Sequence, residues 1–174
     1  MQILVLSDTH GAYHVLRRLL RSHMDADLVI HCGDGENDVA QYRREFPEDA
    51  ARLLSVRGNC DFDSSVPLIL THPLPYGHKL LAVHGHRYVM GNFSDNLAAL
   101  AKENDADIVL FGHLHARADR TVYGVHLFSP GSAARPRDGL PPSFGLIDVF
   151  ESGVLFSHGE VRPSAYGMPQ GGIW

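Results

Sequence analysis

Cysteine is nearly absent from this chain. Only Cys32 and Cys60 occur among 174 residues, which excludes a disulfide framework and suits a reducing compartment. Long apolar runs are missing too. The first hydrophobic stretch, Ile3–Leu6, is too short for a signal-peptide core or a membrane span, so a cytoplasmic protein without a membrane partner is expected. No basic block stands out, and 15 Lys and Arg against 20 Asp and Glu leave a formal net charge of -5. A dedicated nucleic-acid surface is therefore not expected. Repeats and low-complexity linkers are also lacking. The length predicts a single domain over 1–174, with the Pro/Gly-rich stretch 163–174 a loose tail unless Tyr166 and Trp174 dock it. What the chain has in excess is histidine: twelve, against about five for average usage in a chain of this size.

The order of apolar segments predicts the architecture. Ile3–Leu6, Leu28–Cys32 and Leu53–Val56 lack a polar face, as strands buried on both sides do. Between them, Tyr13–Met24 carries Val15, Leu16, Leu19 and Leu20 at helical spacing, and Glu36–Phe46 reads as a helix stopped by Pro47. This βαβαβ order argues for parallel strands and right-handed crossovers. Leu68–Thr71, Leu80–Val83 and Ile108–Phe111 predict further strands, with a helix capped by Ser94 before the last of these. The rest reads as three strands, Thr121–Ser129, Phe144–Phe150 and Val154–His158, joined without helices; Arg135–Pro142 is a mobile loop by composition.

Polar clusters follow directly on five of the apolar runs: Asp8-Thr-His10, Gly33-Asp34, Gly58-Asn59, His84-Gly-His86 and Gly112-His113-Leu-His115. The carboxyl ends of strands form the ligand-binding edge of an open α/β sheet, so clusters far apart in sequence can converge there. Residues two apart on extended backbone project to one side, which pairs Asp8 with His10 and His113 with His115. The glycines before Asp34, Asn59 and His113 let the backbone turn sharply and approach an ion. Imidazole, carboxylate and amide oxygen together suit hard or borderline divalent ions rather than a thiolate site. One carboxylate, best placed at Asp34, can bridge two ions roughly 3.5–4 Å apart. With Asp8, Asp34 and one hydroxide set against two divalent ions, a residual charge of about +1 would attract phosphate.

These clusters, in this order, resemble the calcineurin-like metallophosphoesterase superfamily. The short chain and Gly58-Asn59-Cys60-Asp61 resemble its small single-domain bacterial and archaeal phosphodiesterases. The resemblance spans about Met1 to Ser132. It implies an α/β fold of two packed mixed sheets flanked by helices. It implies two divalent ions, with manganese the expected metal and iron, zinc, nickel or magnesium the alternatives. Asp8, His10, Asp34 and His115 would hold the first ion, and Asp34, Asn59, His84 and His113 the second. The implied reaction is hydrolysis of a small phosphate ester by a metal-bridged hydroxide. Asp34, Asn59 and His84 would be catalytic, and Asn59, Arg57 and His86 are the candidate substrate contacts. The wider superfamily often has a proton-donating His after the Gly-Asn; here Cys60 stands in its place, a poorer acid at neutral pH.

The remaining positions read more plainly. His31 and Cys32 are expected in the core, Cys60 near the site without being a nucleophile, and Asp61 either beside the site or in a turn. Ser129-Pro-Gly-Ser132 either lines the site or is a turn. His14, His23, His72, His78, His126 and His158 have no motif around them and read as structural or solvated. Two rivals to the diesterase stand: a phosphomonoesterase or nucleotide pyrophosphohydrolase on the same site, and a non-catalytic scaffold like the eukaryotic retromer subunit, whose metal site is degraded. Loops Tyr88–Asp95 and Arg135–Pro142 would decide substrate choice. The sequence leaves a homo-oligomer open as an alternative to a monomer.

Overall fold

The computed structural model describes residues 1–162, so the expectation of a loose tail at 163–174 lies outside the described residues. Two five-stranded mixed sheets pack face to face with helices on both outer surfaces. The first sheet draws on β1 (Gln2–Leu6), β2 (Leu28–His31), β3 (Leu53–Ser55), β9 (Ser143–Phe150) and β10 (Gly153–Glu160). Its strand order is β10-β9-β1-β2-β3, parallel from β1 to β3 and antiparallel through β9 and β10. The second contains β4 (Ile69–Pro73), β5 (Lys79–Val83), β6 (Ile108–Leu110), β7 (Arg117–Val122) and β8 (Val125–Pro130), in the order β4-β5-β6-β8-β7. Here β5, β6 and β8 run parallel, with antiparallel strands at both edges.

The period of two in a strand explains why β1 has no polar face. Ile3 and Val5 point between the sheets, where they meet Ile30, Leu80, Leu110 and Phe128. Leu4 and Leu6 point outward, onto α1 (Tyr13–Ser22) and α2 (Glu36–Glu45), through Leu16, Leu20 and Val39. The second sheet does the same with α3 (Phe93–Glu103): Leu81 and Val109 pack on Leu97 and Ala101. Each such side chain contributes about 1.5–3 kcal/mol when fully buried.

Three local expectations are corrected. The expected strand Thr121–Ser129 is a hairpin, β7 and β8, whose turn falls on Tyr123 and Gly124 with φ of 50° and 81°. Positive φ at both central residues gives the turn whose twist matches that of paired strands. The cap of α3 is Asn92 rather than Ser94: its Oδ1 accepts from the N–H groups of Ser94 at 3.1 Å and Asp95 at 3.4 Å. Phe93 then opens the helix and packs edge-on against Phe111 at 5.3 Å between ring centroids, which draws the start upstream. The segment Arg135–Pro142, expected to be mobile, is tied down: Arg137 N–H donates to His115 O and Asp138 accepts from Arg117 N–H.

A short 3₁₀ segment, Pro47–Arg52, closes the outer end of α1. Arg52 donates to the carbonyl oxygens of Leu20, His23 and Ala26 and pairs with buried Asp49, which also accepts the Tyr42 hydroxyl. This satisfies carbonyls left open at the helix end. The Arg52 hydrogen bond holds the Asp49 carboxyl below the usual range, against the opposing effect of burial. Its stabilisation is therefore present above the unfolded pKa of about 3.9 and lost as pH falls through the folded value. Arg52→Ala should lower unfolding free energy by roughly 3 kcal/mol at neutral pH, because Asp49 is left buried without its cation. Urea denaturation measures this, and a change below about 0.5 kcal/mol would class the pair with ordinary surface ion pairs.

Candidate metal centre

Five strands feed one edge of the double sheet. β1 leads into Asp8 and His10, β2 into Asp34, β3 into Asn59, β5 into His84 and His86, and β6 into His113 and His115. Asp8, His10, Asp34, His113 and His115 all adopt left-handed backbone, with φ of 54°, 44°, 57°, 66° and 54°. Their pairing therefore does not come from extended chain, as expected from the spacing. Tight turns swing each side chain over the strand ends instead. Asp and His tolerate this conformation better than most residues, though each still costs about 1–2 kcal/mol. The turns are laced together: Asp8 N–H donates to Gly33 O and His10 N–H to Asp34 O, both at 3.0 Å.

Close approach, rather than turning, is what requires glycine at two positions. A Cβ on Gly58 would fall inside the Asp34 carboxylate, and one on Gly112 would strike Ser7 Oγ and the Asp8 carboxylate.

The result is a convergence of lone pairs. His115 Nε2 lies 3.2 Å from Asp8 Oδ1 and 3.1 Å from His10 Nε2, while His10 Nε2 lies 3.7 Å from Asp34 Oδ2. His84 Nε2 lies 3.1 Å from Asn59 Oδ1 and 3.4 Å from Asp34 Oδ2. The other nitrogen of each key ring is committed as a donor: His84 Nδ1–H to Cys32 O at 2.8 Å and His115 Nδ1–H to Arg135 O at 2.6 Å. In the neutral rings Nε2 is thus an acceptor facing other acceptors. Asp8 Oδ1 is buried without any hydrogen-bond partner. Such a cluster repels itself unless protons or cations lie within it, and its nitrogen and oxygen donors suit a divalent ion. Asp8–His10–His115 and Asp8–Asp34–His84 are each close enough to share one ion, as is His10–Asp34–Cys60. His113 flanks the second group, its ring centroid 5.2 Å from that of His84.

Titration follows this geometry. Burial opposes ionisation of Asp34, but the adjoining His84 ring and a hydrogen bond from the Cys60 N–H at 2.8 Å prevail and hold its carboxyl well below the usual range. The Asp8 carboxylate beside its Nε2 raises His115, and Asp34 with Asp8 raises His84 in spite of burial. Burial lowers His10 and His113. It also pushes the Cys60 thiol up, with Asp34 adding to the effect.

The other expected site residues divide. His86 stands against the second group, 5.4 Å from His84 between ring centroids, and its Nδ1 is buried without a partner. Arg57 is not part of the cavity beside the ligands; its charge is felt at Asp63, whose carboxyl is lowered chiefly by Ser65. Asp61 accepts four backbone N–H groups, from Asp34, Gly35, Glu36 and Gly58, and so binds the β2 and β3 loops together. Ser132 Oγ donates to Asp8 O at 2.8 Å. Sequence reading missed Asp38, buried at the start of α2, which accepts from Thr9 Oγ1 at 2.6 Å and Gly11 N–H at 3.0 Å. Thr9 also meets His31, making that core residue a strut between the β1 and β2 loops. No local motif marks Asp38. His23, His78, His126 and His158 are spent on backbone carbonyls or single carboxylates elsewhere.

Proteins from several organisms are similar to this chain in sequence. A protein of Bacillus subtilis named probable metallophosphoesterase YsnB is 33% identical over 152 residues, 86% of this chain and 85% of that one. Phosphodiesterase YfcE of Escherichia coli is 28% identical over 168 residues, covering 85% and 88%. Vacuolar protein sorting-associated protein 29 of Schizosaccharomyces pombe is 33% identical over 182 residues, covering 93% and 95%. Residues 1–152, which carry every strand-end cluster described above, match the calcineurin-like phosphoesterase superfamily domain, and the chain belongs to that superfamily.

Proposed function

We propose that this protein hydrolyses phosphodiesters with two divalent ions, one held by Asp8, His10, Asp34 and His115 and the other by Asp34, Asn59, His84 and His113. The observation that carries this is the lone-pair cluster around the unpartnered, buried Asp8 Oδ1. When bound, the ions would supply charge for the phosphoryl oxygens and acidify a water. The chain's own residues set the rest. Asp34, kept ionised by its neighbours, is available to both ions at once. The Nδ1 hydrogen bonds of His84 and His115 fix the tautomers that leave Nε2 free to ligate. Asn59 is oriented by its amide contact to Cys60 Sγ at 3.4 Å, which turns its oxygen toward His84. Manganese is the metal we favour among the divalent ions, iron and zinc included, that a mixed nitrogen and oxygen donor set admits. A cytoplasmic setting suits two unpaired cysteines, and no helix among the described residues is long and apolar enough to cross a membrane.

A scaffold reading draws on the likeness to vacuolar protein sorting-associated protein 29. The presence of all seven ligand side chains at one edge supports the enzyme. Elemental analysis of manganese-loaded protein should approach two ions per chain, and Asp34→Ala should lose most of the metal. Asn59→Ala and His84→Ala should each depress turnover of bis-p-nitrophenyl phosphate by at least about tenfold while the fold persists. Wild-type turnover in both variants would mean that the assigned site is wrong, and absence of turnover in the wild type itself would leave the scaffold reading standing.

Acid should weaken metal binding from above the ordinary imidazole pKa of about 6.5, because His84 and His115 are raised. Their protons stabilise the metal-free fold below that pH, and this stabilisation is lost as pH rises through the folded values. Metal must displace those protons, so affinity runs the opposite way, rising about tenfold per pH unit for each proton released. Chelator competition between pH 5.5 and 7.5 measures the slope; a flat line would detach these histidines from the metal.

Cys60, with its thiol pushed up, is a weak proton donor at neutral pH. Rates across a series of aryl phosphate esters should depend steeply on leaving-group acidity. Cys60→His should help poor leaving groups more than good ones, and Cys60→Ser should change little. A flat series in the wild type, with chemistry rate-limiting, would assign proton donation to another residue, His86 first.

A further inference from the structure

Beside His10 and Asp34 opens a cavity of about 230 Å³. This is smaller than the roughly 300–1,000 Å³ typical of pockets for drug-sized ligands, and it matches one arm of an ester rather than a whole large molecule. No aliphatic, phenyl or indole side chain lines it, whereas ligand pockets are usually lined mostly by apolar groups. Its far wall is the first turn of α2, Glu36 to Asp38, and the one Lys or Arg in its lining is Arg135.

Arg135 is placed by the metal centre itself. Its N–H donates to Ser132 Oγ at 2.8 Å, and that hydroxyl donates to Asp8 O; its C=O accepts from His115 Nδ1. The root of the side chain is thereby fixed to two ligands, while the exposed guanidinium has only a long contact, 3.5 Å, to His10 O. Among the described residues the arginine ion pairs are those of Arg17, Arg52 and Arg117, so Arg135 has no carboxylate partner. The acids nearby are already engaged: Asp38 by Thr9 and Gly11, and Glu36 Oε2 by the N–H groups of Phe62 and Asp63 at 2.7 Å each. A cation anchored this firmly and left unpaired beside a site for phosphate presents the planar fork that matches phosphate oxygens.

We propose that Arg135 is a substrate-phosphate ligand and that the cavity behind it receives one hydroxyl-bearing arm of the ester, such as a polyol or sugar, hydrogen-bonded by Glu36 and Asn37. The proposal rests on the phosphoesterase reading above and adds to it the substrate class. An apolar arm would meet no apolar side chain there, while hydroxyl groups find the amide of Asn37 and the remaining carboxylate oxygen of Glu36.

Two measurements on the manganese-loaded protein test it. The first is binding of inorganic phosphate by calorimetry. Arg135→Ala should weaken it about tenfold without changing the bound manganese, and Arg135→Lys should recover part of the loss. The second compares two p-nitrophenyl diesters that differ in the other arm, glycerol against phenyl. Wild type should favour the glycerol ester in kcat/KM, and Asn37→Leu should erode that preference through KM. Unchanged phosphate affinity in Arg135→Ala, or a wild-type preference for the phenyl ester, would overturn the proposal while leaving the phosphoesterase reading intact. No hydrolysis of either ester by wild type would instead overturn that reading.

Discussion

One carboxylate oxygen organises this molecule. Asp8 Oδ1 is buried, has no hydrogen-bond donor, and faces the Nε2 atoms of His10 and His115. An isolated arrangement of this kind is costly, since buried polar groups normally find partners and acceptors in contact repel. It persists because the surrounding structure leaves it no alternative. Ser7 Oγ occupies the other oxygen of Asp8 at 2.6 Å, His113 N–H shares it at 3.2 Å, and Ser132 holds the Asp8 carbonyl. The two packed sheets keep the strand ends from relaxing apart. Cations placed in the cluster would turn its repulsion into ligation.

The backbone carries a share of that strain. Five ligand positions are left-handed and none of them is glycine. Local cost of this kind survives only where neighbouring bonds over-determine it. Asp61 does so for the Asp34 turn by taking four N–H groups, and the Thr9–Asp38–His31 links do so for the Asp8–His10 turn. None of these residues is itself a candidate ligand, yet the spacing of the ligands depends on them. Rigid strands supply the placement, and polar struts between loops supply the aim.

The two sides of the centre differ in character. On the His10 side lies the polar cavity with Arg135; on the other, His84, His86 and His113 form a cluster of rings within 5.2 to 6.2 Å of one another. His86 is lowered by burial and by its histidine neighbours, so it favours the neutral form there.

How much was legible in the sequence depends on how local the cause was. Ile3–Leu6, Leu28–Cys32 and Ile108–Phe111 announce buried strands because neither face of such a strand can be polar, and the structure buries them so. Their order, with helices between the first three, argued for parallel strands and crossovers; two packed mixed sheets flanked by helices were implied by the resemblance to the superfamily. The five clusters were visible for the same reason: strand ends share an edge, so a polar pair after each strand marks the site. What tertiary structure decided was everything that depends on partners distant in the chain. Left-handed turns at Asp8 and His10 cannot be told from extended backbone by spacing alone. Asp61 differs from a turn residue only because β2 and β3 lie side by side, and Asp38 matters only because the β1 loop descends onto α2. The cap of α3 moved to Asn92 because Phe93 had Phe111 to pack against. Arg135 lies in a segment whose composition reads as loop. Its place at the site follows from a bond between its own carbonyl and His115, twenty residues away, and such a bond exists only after the chain has folded.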